Sequence, residues 1–307
     1  MNCLVIGGTG FIGSHITRKL VNEGLNVITY SPSGNPRLLL DIVNRIKIER
    51  GSTTELAEVL SVMKKHQVKV VVYAAAEHPP WTPMNIVKTM ILGFTNVLEA
   101  SRLMDVERLV WTSSYAQLGP PELYPTERVN EDAPVKPGML HAPSYVSNEY
   151  MANQYYEMYG LDVLSMRLGI NFGPGRERRG VFDFIIDLFE NPLLKKPVRV
   201  PNGDAKYTLQ YVKDAAEAIW FGVKAKSFKH RVFNTCDEAC TLRELAQYVK
   251  EEIPDADITV EPGGKTPRVL VDASRIRQEL GYTPRYGIKG GAKDYLQELR
   301  KTLLAGA

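Results

Sequence analysis

Two hydroxyls and a phenol are the side chains whose type and placement could do chemistry. Ser113-Ser114 closes the apolar run Arg108-Leu109-Val110-Trp111-Thr112, and Tyr145 stands at the start of a helical stretch from about Ser144 to Tyr159. A tyrosine hydroxyl can pass a proton to or from a substrate oxygen while hydride moves to or from the same carbon, and a serine hydroxyl can orient that oxygen. Such chemistry needs a hydride carrier, and the start of the chain offers a place for one. Gly7-Gly8-Thr9-Gly10-Phe11-Ile12-Gly13 follows the apolar run Cys3-Leu4-Val5-Ile6, and Ile12, Ile16 and Leu20 then recur at helical spacing. Glycines there permit a tight turn, let backbone approach a pyrophosphate and let helix and strand pack closely. Gly7, Gly10 and Gly13 are expected to surround the pyrophosphate of a dinucleotide. Phe11 and Ile12 lie in the first helical turn, whose free N–H groups and positive dipole end favour phosphate.

These groups need elements that bring them together, and the first half of the chain alternates strand and helix patterns. Strands are expected at Asn26–Tyr30, Arg45–Glu49, Val68–Ala76, Arg108–Thr112 and Asp162–Arg167. The nearly continuous apolar run 68–76 is what a parallel strand covered on both faces requires. The pattern predicts an α/β fold, a Rossmann-type doubly wound parallel sheet with helices on both faces, whose ligands bind beyond the carboxyl ends of the strands. Beyond Gly173-Pro174-Gly175 the segments shorten. We expect a dinucleotide-binding domain over residues 1–172, with about 205–235 returning to it, and a smaller C-terminal substrate-binding lobe mainly from 173–307.

Composition narrows the partners. A net charge of +3, with 24% charged and 44% hydrophobic residues, describes an ordinary globular chain and gives no reason to expect nucleic acid or membrane as a partner. The first strand starts at the N-terminus without the pattern of a signal peptide, so the expected location is cytoplasmic. Cys236 and Cys240 are spaced C-x3-C with no second ligand pair nearby, and no metal is expected.

With these motifs in place, the chain resembles the extended short-chain dehydrogenase/reductase family, specifically its NAD-dependent epimerase/dehydratase group. The resemblance spans nearly all 307 residues. It rests on the glycine turn, Ala74-Ala75-Ala76, Asn96-Val97-Leu98-Glu99-Ala100, Ser113-Ser114 before Gly119, and Tyr145. Further along it rests on Arg167-Leu168-Gly169-Ile170-Asn171-Phe172-Gly173-Pro174-Gly175, Val212-Lys213-Asp214 and Asp272-Ala273-Ser274. The resemblance implies an NAD(P)-dependent oxidoreductase or epimerase acting at a carbinol carbon, with a sugar nucleotide as one possible substrate. It implies Ser114 and Tyr145 as catalytic residues, Ala74, Ala75 and Ala76 beside the cofactor, Asn171 beside the substrate, and a homodimer formed through the helices near Asn96 and Tyr145.

The chain also departs from the family pattern. The lysine four residues after the tyrosine is replaced by Glu149. Residues four apart share a helix face, and an ionised glutamate there should raise the tyrosine pKa where lysine would lower it. Glu149 could accept hydrogen bonds from the ribose and serve as the base, or it could be a solvated helix residue. The first reading leaves a non-redox lyase or isomerase open, and the second a catalytically silent NAD(P)-binding protein. Ser31 stands where an acid would clasp the ribose 2′-hydroxyl, Gly51-Ser52 stands where an adenine-side acid is expected, and Arg18 and Arg37 lie nearby. This tilts the choice from NAD towards NADP. His78 and His141 are acid/base candidates, and Arg176, Arg178 and Arg179 could grip an anionic substrate or form a solvated face.

Overall fold

The computed structural model describes residues 1–76, 82–176 and 182–305. Seven of its strands form one parallel sheet. In chain order these are β1 (Asn2–Ile6), β2 (Asn26–Ser31), β3 (Lys47–Arg50), β4 (Val70–Tyr73), β5 (Arg108–Ser114), then 163–168 and 232–234. The remaining strands are β6 (Arg128–Val129), β8 (Ile170–Phe172), β9 (Val198–Val200), β10 (Lys206–Tyr211), β12 (Ala239–Thr241), β13 (Ile258–Val260) and β14 (Leu270–Val271), so the last two of the large sheet are β7 (Val163–Leu168) and β11 (Val232–Asn234). The large sheet runs β11-β7-β5-β4-β1-β2-β3, and every neighbouring pair in it is parallel. The order turns back on itself between β1 and β4, which leaves a crevice at the carboxyl ends of the strands.

Period-two alternation divides each strand between two cores. Cys3, Val5, Val70 and Val72 face α1 (Phe11–Asn22), whose Ile16 and Leu20 are fully buried. Leu4, Ile6, Val71 and Tyr73 face the opposite layer. That layer is built from α2 (Leu56–Lys65), α4 (Gly93–Leu103) and α5 (Ala142–Tyr159), while the short α3 (Pro83–Asn85) buries none of its residues. Helix α5 has Pro143 in its first turn and stops at Gly160, whose φ of 70° is the left-handed conformation that glycine adopts without strain.

A smaller lobe has its own core. There β10 pairs with β8 and β12, β9 pairs with β13, and β6 with β14. Helices α6 (Asp183–Leu193), α8 (Leu242–Glu252) and α10 (Gly287–Ala305) cover these strands. Helix α7 (Val212–Lys224) returns to the large sheet and buries Ala216, Ile219 and Val223 against it beside α1. The short α9 (Ser274–Leu280) follows β14 and packs on β11. The parallel sheet and the helices on both its faces are the architecture that the strand and helix patterns anticipate.

Candidate active site

The glycine turn joins β1 to α1. Gly7 has φ of 78°, and a Cβ there would come within 2.8 Å of the Ala74 carbonyl and the Ala75 nitrogen. Gly13 is more constrained still, since its Cβ would sit 2.0 Å from the Gly7 oxygen. Helix and turn thus touch through bare backbone. Gly10 precedes the helix in an extended conformation, and no side chain caps the first turn. The N–H groups of Phe11, Ile12 and Gly13 stand in the first helical turn and have no intrahelical acceptor. Open amides on a floor that no Cβ could share fit a pyrophosphate. Ala74, Ala75 and Ala76 continue from β4 directly beside this turn.

At the end of β2, Ser31 is buried, with its Oγ 2.9 Å from Thr9 Oγ1 and accepting the Gly34 N–H at 3.1 Å. Arg37 is exposed at the start of the following 3-10 turn. Arg18 does not reach towards the ribose. Its Nε and Nη2 bind both Asp41 oxygens at 2.8 and 2.7 Å, and Nη2 also donates to the Leu38 carbonyl.

Ser114 ends β5, where its Oγ accepts the Ala116 N–H at 3.1 Å and caps a short turn. Helix α5 packs on this strand end. The Tyr145 ring stacks on Trp111 of β5 at 6.4 Å and 17°, and His141, the residue before the helix, meets Tyr145 edge-on at 6.0 Å and 80°. Burial pushes the Tyr145 phenol up to about 12. Burial, and then the charge of Arg268, hold the His141 imidazole down at about 4, so it is neutral at pH 7. Arg268 itself lies over the ring of Tyr115, the residue after Ser114, at 5.5 Å. Arg268 thus stands near both His141 and the end of β5.

Glu149 is placed differently from either sequence expectation. Its Oε1 accepts from Ser113 Oγ at 2.6 Å, Gln117 Nε2 at 2.7 Å and Arg167 Nε at 2.9 Å, while its Oε2 accepts from Arg167 Nη2 at 2.7 Å. The two charged side chains are 10% and 5% exposed. The carboxylate points down to the sheet, is paired with a buried cation, and is not a solvated residue. Nor does it perturb Tyr145, whose raised pKa comes from burial alone. The sequence reading missed Arg167 as its partner. One signal was available, because Arg167 is the only charged residue in the strand Val163–Leu168.

On the substrate side, Asn171 lies on β8 with Nδ2 donating to the Gly169 carbonyl at 3.0 Å. Its buried Oδ1 has no hydrogen-bond partner among the described residues. Arg176 donates to the Asn171 carbonyl, which turns this arginine inward from the expected cluster. His15 of α1 hydrogen-bonds the Pro174 carbonyl at 2.9 Å and ties the turn after β8 to α1. His78, Arg178 and Arg179 lie outside the described residues. Cys3, Cys236 and Cys240 are buried free thiols.

Residues 3–236 match the NAD dependent epimerase/dehydratase family. The UDP-glucose 4-epimerase of Mycolicibacterium smegmatis is 28% identical, over 95% of this chain and 96% of its own. The crystal structure of the Thermotoga maritima UDP-glucose 4-epimerase with UDP-glucose superposes with a TM-score of 0.86 at 24% identity, covering 99% of this chain and 100% of that one. The Thermus thermophilus UDP-glucose 4-epimerase complex with NAD gives 0.82 at 25% identity, covering 98% and 99%.

Proposed function

Because the chain belongs to the NAD dependent epimerase/dehydratase family, we propose that it oxidises a carbinol carbon of a sugar nucleotide with NAD or NADP, as an epimerase or a related oxidoreductase. The observation that carries this is one juxtaposition. The bare-backbone cradle at Gly7–Gly13 opens onto the same sheet edge as Ser114, and the His141–Tyr145 pair packs beside that edge. When bound, the dinucleotide supplies the hydride acceptor. Gly7, Gly10, Phe11, Ile12 and Gly13 hold its pyrophosphate, and Ala74–Ala76 flank it. Ser114 orients the reacting oxygen. The proton goes to the His141–Tyr145 pair, in which the neutral imidazole is the better acceptor and the buried phenol the better donor. Asn171 offers its Oδ1 to the substrate, and His78 and Arg179 remain candidates to line the same side.

Glu149 holds Arg167 and the end of β5 in this reading. Both of its oxygens are already taken by Ser113, Gln117 and Arg167, which leaves a non-redox lyase built on it without support. The named relatives do not favour a silent dinucleotide-binding protein either. A homodimer through α4 and α5 belongs to the same proposal. It is supported by Leu103 on α4 and by Tyr150, Met158 and Tyr159 on α5, all at least 47% exposed. A cytoplasmic location is supported by the three free thiols. No described helix is long and apolar enough to cross a membrane.

The test is turnover. Nucleoside diphosphate sugars, UDP-glucose first, are incubated with either dinucleotide, and the products are read by NMR together with absorbance near 340 nm. Ser114→Ala should lower kcat by about 100-fold or more with little change in KM, since positioned proton-transfer groups contribute about 10²–10⁴. An unchanged kcat would remove Ser114 from the reaction.

A further inference from the structure

We propose that Gln117 is a positioning residue for the reaction, carrying the hold of Glu149 to Ser114 and fixing where the serine hydroxyl stands. This rests on the reading that Ser114 orients the reacting oxygen, and it concerns a residue that does not itself touch substrate.

Ser113 and Ser114 are the last residues of β5, and alternation along a strand sends their side chains to opposite faces. Ser113 Oγ donates to Glu149 Oε1 at 2.6 Å. The carboxylate therefore lies on the face away from the Ser114 side chain and reaches that residue only through the backbone. Gln117 makes the link. It closes the 3-10 turn Tyr115–Gln117 and is fully buried. Its Nε2 donates to Glu149 Oε1 at 2.7 Å and to the Ser114 carbonyl at 3.2 Å, so both amide protons are used. Its backbone carbonyl accepts the Lys136 N–H at 2.8 Å, which holds the far end of the turn. One carboxylate oxygen thus anchors the residue before Ser114 and the residue three after it.

The hydroxyl between these anchors is directed as well. Ser114 Oγ accepts the Ala116 N–H at 3.1 Å, and its own proton goes to no acceptor among the described residues. That proton is left for a substrate oxygen. Packing alone does not call for a glutamine at this position. Its Oε1 is buried without a hydrogen-bond partner among the described residues, a cost that a methionine of similar length would not carry. What the amide alone supplies is its pair of donors. Where the family pattern has a lysine, this chain has a carboxylate turned to the sheet, and Gln117 joins that carboxylate to the serine.

The test compares full-length wild type with Gln117→Met, which keeps the side-chain length and removes both donors. For the nucleoside diphosphate sugar that wild type converts, kcat should fall by about ten-fold or more while KM stays within about two-fold. In a Ser114→Ala background the same substitution should change kcat by less than about two-fold, because no hydroxyl is left to position. Hydrogen exchange over residues 113–118, read by mass spectrometry on the protein without dinucleotide or sugar, should quicken by about ten-fold in Gln117→Met. A kcat loss that persists in Ser114→Ala would overturn the proposal, as would exchange that matches wild type. Gln117→Glu, of the same shape, serves if Gln117→Met does not fold. Its carboxylate against Glu149 should lower kcat at pH 7, with recovery as the pH falls and the new carboxyl regains a proton to donate. A profile parallel to that of wild type would overturn the positioning role. If wild type converts no nucleoside diphosphate sugar, the underlying reading fails instead, while the exchange result still decides whether Gln117 holds Ser114 in place.

Discussion

A carboxylate taken out of water costs several kcal/mol unless it is paired and hydrogen-bonded, and Glu149 meets both conditions through Arg167, Ser113 and Gln117. Its role is then measurable separately from catalysis. Glu149→Ala strands Arg167 in a site where its side chain is 5% exposed, and should cost about 3–5 kcal/mol of stability by urea unfolding. Glu149→Gln keeps the shape, still removes the charge, and should also lower the melting point. If Glu149→Gln instead melted like wild type and lost turnover, the glutamate would be the base. The same logic separates the two rings above it. Tyr145→Phe removes the phenol and keeps the stack on Trp111, so any loss of rate reports the hydroxyl. His141→Gln removes the proton acceptor, and should lower kcat more at pH 7 than Tyr145→Phe does.

Helix α5 shows which parts of an element can be read from sequence. Its extent was legible, because Pro143 near the start and Gly160 at the end are ordinary helix punctuation. The sheet was legible for a similar reason, since Val70–Tyr73 could only be a strand covered on both faces. The use made of α5's faces was not legible. Position 149 lies one turn beyond Tyr145, and the family pattern left its side chain either beside the cofactor or in solvent. Only the packed structure shows Glu149 turned down to β7, a strand 14 residues further along the chain at its nearest. Long-range ion pairs of this kind leave little trace in local periodicity. Arg18 of α1 behaved alike, taken by Asp41 through a contact 23 residues distant. The outer face of α5 yields the prediction that belongs to this scale. Tyr150 is 67% exposed and Met158 64%, eight residues apart and so on neighbouring parts of one surface. If this face meets its copy, Tyr150→Glu with Met158→Glu should shift the protein from dimer to monomer by light scattering. A wild type that elutes as a monomer at micromolar concentration would refute the pairing.

Two histidines connect the whole fold to pH. His15 bridges α1 to the turn after β8, and His141 packs edge-on against Tyr145 of α5. Burial holds each imidazole down at about 4, below the ordinary 6.5. The unfolded chain therefore binds protons that the folded chain refuses in this interval. Stability from these groups is complete above about pH 6.5 and falls as the pH drops towards 4, by at most about 1.4 kcal/mol per pH unit for His15 and less for the more exposed His141. Glu131 and Asp214 act in the opposite sense. Burial raises their carboxyls, so the fold takes up protons there earlier than the unfolded chain does and gains stability as the pH falls. Asp41, held low by its hydrogen bonds to Arg18, adds its own loss only in stronger acid. The histidine contribution can be isolated by His15→Gln, whose amide can still donate to the Pro174 carbonyl but does not titrate. Urea unfolding at pH 7.5, 6.5, 5.5 and 4.5 should then give a shallower decline for the variant than for wild type, with the gap opening below pH 6.5. Identical slopes would mean that His15 titrates normally in the folded protein, and that the bridge to Pro174 does not exclude water.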